Sequence, residues 1–131
     1  VVFGRSEFWP GHQIEGRIRH WGLKLAVPTL LFYEVANALR FSGIFDETDL
    51  ALAAKSLSKY RFVVWRPRGK LLELSAQLSV REDVTVYDAC YVALARRLGS
   101  KVITEDKELL SKFPTDTVLM ARFDGIRTCK A

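Results

Sequence analysis

Val84-Thr85-Val86-Tyr87-Asp88-Ala89-Cys90-Tyr91-Val92-Ala93-Leu94-Ala95 sets a lone ionisable carboxylate, Asp88, in a run of apolar, small and aromatic residues. The pattern predicts a helix buried all round. A carboxylate withdrawn from water is costly unless something meets it, so Asp88 calls for a partner. The same anomaly recurs in Pro28-Thr29-Leu30-Leu31-Phe32-Tyr33-Glu34-Val35-Ala36-Asn37-Ala38-Leu39, where Glu34 is the sole acid. Two lone acids in two core helices are most simply explained as one site.

The rest of the composition bounds what that site serves. At 131 residues and 49% hydrophobic, the chain is expected to form one domain, 1–131, with a core of its own. No apolar run approaches the ~20 residues that span a bilayer, and the opening Val1-Val2-Phe3-Gly4-Arg5 is too short for a secretory signal. Cys90 and Cys129 show no metal or redox spacing and read as thiols in a reducing cytoplasm, Cys90 as a small core residue. The net charge of +5 favours polyanions without identifying one. Its densest basic stretch, 61–70, holds Trp65, Arg66 and Arg68 and reads either as a solvated connection or as an RNA-contacting rim.

Along the chain, Val1 to Phe3 is expected as a first strand, followed by a loop. Gln13 to Trp21 fits a short amphipathic helix stopped by Gly22, with His12 and His20 as surface residues. Lys24 to Val27 is extended, and Pro28 is expected to open a helix to Ser42. Asp46 to Asp49 begins the next helix, which runs to Tyr60. A strand follows at Arg61 to Trp65, then a helix Leu71 to Leu78, the Asp88 helix, and a strand Lys101 to Thr104. A short helix Glu105 to Lys112 and a strand Thr117 to Met120 complete the pattern. Strands separated by helices argue for an α/β sandwich, its mostly parallel central sheet flanked by helices. Working sites of such sheets lie beyond the carboxyl ends of the strands, where Thr104-Glu105-Asp106 falls.

Glu34, Asp88 and Asp106 together suit a hard divalent cation such as Mg²⁺ or Mn²⁺, which takes oxygen ligands and activates water. Asn37, one turn after Glu34, and Thr104 are candidate supporting groups. Each acid also has a structural reading. Glu34 would pair with Arg40 or Arg96, Asp88 would sit at a helix start capped from Thr85, and Asp106 would be an N-cap. Tyr33, Tyr87 and Tyr91 read as core aromatics whose hydroxyls reach a partner.

The stretch Pro28–Leu39 resembles the glutamate helix of PIN-domain proteins, Val86–Ala95 their aspartate helix, and Val102-Ile103-Thr104-Glu105-Asp106 the strand end that supplies another acid. All three stand in the family's order between Leu25 and Met120, most similar to the small VapC toxins of toxin–antitoxin pairs. The resemblance implies a PIN-like three-layer sandwich. It also implies a Mg²⁺- or Mn²⁺-dependent endoribonuclease, homodimeric and silenced by a VapB-type antitoxin. It places metal-binding acids at Glu34, Asp88 and Asp106, with Asn37 and Thr104 in support.

The N-terminus departs from the pattern. Aligned with the family's first strand, Gly4 takes the place of an aspartate and Ser6 that of a hydroxyl residue; Glu7 lies too far on to substitute. Region 1–10 is therefore expected to be atypical or truncated. The alternative function is a catalytically impaired PIN domain that still binds RNA or an antitoxin. A third reading, outside the family, is an α/β interaction protein whose acids are paired with arginines.

Overall fold

The computed structural model describes residues 2–4 and 24–122. Among these residues, five short strands form one sheet: β1 (Val2–Gly4), β2 (Lys24–Pro28), β3 (Val63–Trp65), β4 (Lys101–Thr104) and β5 (Thr117–Leu119), in the order β3-β2-β1-β4-β5. The β2–β3 and β4–β5 pairs are parallel, as the alternation of strands and helices predicts. Central β1 runs antiparallel to both of its neighbours, pairing Val2 with Ala26 on one side and with Val102 on the other.

Among the described residues, five α-helices flank this sheet: α1 (Leu30–Phe41), α2 (Glu47–Ser56), α3 (Lys70–Glu82), α4 (Val86–Arg97) and α5 (Lys107–Lys112). Their ends follow local chemistry. The Asp46 side chain caps α2 by accepting from the Asp49 amide at 2.8 Å. Asp83 adopts the left-handed conformation that ends α3 (φ 52°), and its place between the helices turns the chain into α4. Gly99, at φ 59°, makes the tight exit from α4 into β4.

The core is organised around α4. Ala89 to Ala95 are all buried, and Leu71, Ser75 and Leu78 of α3 pack on the same interior. Ala26, Val102, Leu109 and Phe113 close it from the sheet and from α5. Ser75 is tolerated there because its hydroxyl donates to the Leu71 carbonyl at 2.7 Å. Cys90 is a buried thiol, as its setting in the sequence suggests.

Several expectations are corrected. Pro28 does not open α1; it ends β2 opposite Trp65, and Thr29 precedes the helix. Helix α3 begins one residue before the expected Leu71 and runs four residues past Leu78, because apolar spacing marks the buried face and not the polar ends. Neither acidic helix is buried all round. No residue of α1 is fully buried, since it reaches the core chiefly through Leu30 and Leu31. In α4 the first turn, Val86 and Tyr87, is exposed before the buried run begins. Tyr33 and Tyr87 are 81% and 67% exposed, so they are surface and not core aromatics. The helix expected at 13–21, with His12 and His20, lies outside the described residues, as do Ser6, Glu7 and Cys129.

Candidate active site

The topology brings the three acids toward one edge. Ala26 and Val102 both pair with Val2, so β2 and β4 run in the same direction and end level, at Pro28 and Thr104. Two interstrand spacings separate those ends by ~10 Å. Glu34 lies in the second turn of α1, just after β2, and Asp106 directly follows β4. Helix α4 enters β4 through the short turn 98–100, so its N-terminal turn, with Asp88, points back toward the carboxyl end of β4.

Each acid is held by a different device. The exposed Glu34 carboxylate accepts a hydrogen bond from the Tyr91 hydroxyl. Tyr91 is 8% exposed, so its ring is anchored in the core while its oxygen reaches α1. Asp88 is the third residue of α4. Its amide donates to the Thr85 hydroxyl at 3.1 Å, and that hydroxyl donates to the Asp88 carboxylate at 2.6 Å. The capping reading of Asp88 therefore holds, and it leaves the carboxylate half-buried at the helix mouth. Asp106 caps α5, with one oxygen accepting from the Glu108 and Leu109 amides at 2.8 and 3.1 Å. Thr104 supports it by accepting from the Asp106 amide at 3.0 Å. Asn37 is exposed, and its side chain makes no hydrogen bond among the described residues.

Glu34 and Asp88 both bear on Tyr91, whereas the hydrogen bonds of Asp106 are to Thr104 and the first turn of α5. Among the described residues, no three His, Cys, Asp or Glu side chains lie close enough together to enclose an ion. The arginine pairing foreseen for Glu34 does not form. Arg96 is taken by Asp116 in a two-pronged contact at 2.8 and 3.0 Å, and Arg40 lies over the Phe41 ring at 5.3 Å. Among the described residues no cation pairs with any of the three acids.

Acidity is shifted around this junction. Burial raises the Tyr91 phenol above its ordinary value, and the hydrogen bond to Glu34 and that carboxylate's charge raise it further. Burial also raises the Cys90 thiol; the neighbouring Ser75 hydroxyl opposes this, and the Glu34 charge adds to it. A protonated Tyr91 is thereby fixed as the donor to Glu34. Sequence reasoning gave Tyr91 an unnamed partner and missed that the partner is the glutamate itself; the contact spans 57 positions, so no local pattern announces it.

The first strand corrects the alignment drawn from sequence. Gly4 pairs with Lys24, at the start of β2, because β1 is antiparallel. It therefore stands at the end of the sheet opposite Pro28 and Thr104, away from the three acids.

The PIN domain matches residues 11–114. Ribonuclease VapC3 of Pyrobaculum aerophilum is 35% identical over 89 residues, covering 65% of this chain and 68% of its own length. Ribonuclease VapC1 of Mycobacterium tuberculosis is 36% identical over 85 residues, covering 63% and 62%. The crystal structure of PAE2754 from Pyrobaculum aerophilum matches with a TM-score of 0.57 at 33% identity, over 72% of this chain and 65% of that one. The chain thus spans about two thirds of the length of these relatives. With its α/β sheet, its acidic edge and this match over most of its length, the chain belongs to the PIN-domain family and is of the VapC type.

Proposed function

We propose that this chain is a divalent-metal-dependent endoribonuclease, the toxin of a type II toxin–antitoxin pair. Its relatives VapC3 and VapC1 are named ribonucleases, which supports an RNA substrate and a VapB-type antitoxin. The observation that carries the reading is the set of three carboxylates toward one sheet edge with no cationic partner among the described residues. The donors are all oxygen and fit Mg²⁺ or Mn²⁺ in kind. Glu34, Asp88 and Asp106 would hold the ion once drawn closer together than they stand in this structure. Such an ion supplies charge stabilisation at the phosphate and lowers the pKa of water.

The chain's own residues prepare that site. Tyr91 orients Glu34, Thr85 fixes Asp88, and Thr104 with the first turn of α5 fixes Asp106. Each hydrogen bond engages one carboxylate oxygen and leaves the other available to a cation. Its membership of the family supports reading it as a homodimer in the cytoplasm. Among the described residues no helix is long and apolar enough to cross a membrane.

Strand β1 brings no carboxylate to the end of the sheet where the three acids lie, which favours a second reading: a PIN domain that binds RNA or its antitoxin without cutting. Cleavage of a labelled structured RNA in Mn²⁺, with EDTA as the blank and Asp88→Asn as the control, decides between them. Cutting that needs Mn²⁺ and Asp88 is the expected result. A folded chain that binds RNA and leaves it whole establishes the second reading.

A further inference from the structure

A second feature lies on the outer strand β3, at the same end of the sheet as the acids. Trp65 ends edge strand β3, level with Pro28, and the Thr29 amide donates to its carbonyl at 2.9 Å. Beside it opens a cavity of about 390 Å³ lined by Trp65, Arg66, Arg68, Lys70 and Arg97, with Leu71 at its base. The guanidinium of Arg97 lies 5.7 Å from the centre of the Trp65 ring. Lys70 is paired with Glu73 at 2.9 Å, but Arg66, Arg68 and Arg97 have no acidic partner among the described residues. The Trp65 indole nitrogen is buried and has no hydrogen-bond partner among the described residues.

Three unneutralised guanidinium groups around one concavity repel one another unless an anion joins them. A buried donor left without an acceptor adds a second demand of the same kind, since it needs an oxygen to bond. A phosphate meets both, offering negative charge and several acceptor oxygens, and guanidinium groups match its geometry. Since Trp65 shares the sheet edge with the acids, three interstrand spacings put it ~14 Å from the end of β4. One extended strand of RNA spans that interval.

We propose that this cavity is a phosphate-binding subsite that grips the backbone of single-stranded RNA to one side of the three acids. The inference rests on the ribonuclease reading for its ligand, and it concerns residues outside the acidic site. Arg66, Arg68 and Arg97 contact phosphate oxygens, and the Trp65 N–H, buried in this structure, supplies a neutral donor to the same group once the indole turns toward the cavity.

The test is RNA binding by the Asp88→Asn chain in EDTA, where no cleavage complicates the measurement. A short single-stranded oligoribonucleotide is titrated against ¹⁵N-tryptophan-labelled protein at several salt concentrations. The Trp65 indole resonance is expected to move on binding. Replacing all three arginines (Arg66→Gln, Arg68→Gln, Arg97→Gln) is expected to flatten the dependence of log K on log salt by about 2, at ~0.7 for each phosphate no longer neutralised. The matching Arg→Lys set is expected to keep most of the slope. Trp65→Phe is expected to weaken binding several-fold with the slope unchanged. An unmoved Trp65 resonance, or an unaltered slope in the glutamine set, overturns the proposal. So does a Trp65 resonance that moves with polyglutamate and not with RNA, which makes the cavity a docking site for an acidic protein segment. If RNA binding behaves as expected but Mn²⁺-dependent cleavage is absent, the subsite stands and the ribonuclease reading falls. Cleavage with an unaltered slope gives the reverse.

Discussion

The Tyr91 hydroxyl donates to the Glu34 carboxylate and so joins α4, the centre of the core, to α1 on the surface. The tyrosine is buried and the glutamate is exposed, so the anchored partner positions the solvated one. This contact, between residues 57 positions apart, joins the two acidic helices directly.

Removing only that hydroxyl tests the relationship. Tyr91→Phe keeps the ring in the core and is expected to lower stability by about 1 kcal/mol, the usual net worth of a hydrogen bond. Urea unfolding would show it as a lower midpoint with an unchanged slope. RNA cleavage should fall as well, because Glu34 loses its orienting group. Unchanged activity would mean that Glu34 finds its geometry without Tyr91.

Alkaline pH should loosen the same junction. Tyr91 and Cys90 both have folded-state pKa values above their ordinary values of 10.0 and 9.0. As pH rises, the unfolded chain releases these protons first, so unfolding is favoured. Their contribution is fully present below about pH 9 and is lost as pH climbs past the ordinary thiol and then the ordinary phenol value. Urea midpoints measured from pH 7 to 11 should decline above pH 9, and Tyr91→Phe should decline less above pH 10.

Asp106 carries two roles that substitutions can separate. Its carboxylate caps α5, and it is also proposed to bind the cation. Asparagine caps helices about as well as aspartate, whereas alanine does not. Asp106→Asn should therefore keep the melting temperature and lose cleavage, while Asp106→Ala should lose cleavage and about 1 kcal/mol of stability. An Asp106→Asn protein with full cleavage would reduce Asp106 to a cap.

The position of Gly4 gives a prediction opposite to the one its alignment suggests. An acid at the start of the β1–β2 ladder, beside Lys24, cannot join carboxylates at the other end of the sheet. Gly4→Asp should leave Mn²⁺ affinity and RNA cleavage where they are. A gain of cleavage would show that β1 runs in the opposite sense in the active protein.

The order of strands and helices was legible because each strand is a compact β-branched or apolar run bounded by Gly, Pro or charged residues. Asp88 and Glu34 were legible as anomalies, single charges in apolar surroundings. Their burial was overestimated, because an apolar run such as Leu30–Phe41 looks the same in a core helix and on a surface that covers a core with one edge. The direction of β1 was not legible at all: three residues, Val2-Phe3-Gly4, carry no signal that distinguishes parallel from antiparallel pairing. The basic stretch 61–70 announced its charge, but the cavity needs Arg97, which comes from the end of α4.

The central claim is that Glu34, Asp88 and Asp106 share one divalent cation. Calorimetric titration of Mn²⁺ into the chain and into Glu34→Gln, Asp88→Asn and Asp106→Asn, each checked for fold by circular dichroism, measures it directly. The account predicts one class of site in the unaltered chain and markedly weaker binding in every variant. Equal binding in the chain and in the Asp88→Asn protein, or no binding in a folded chain, would contradict it.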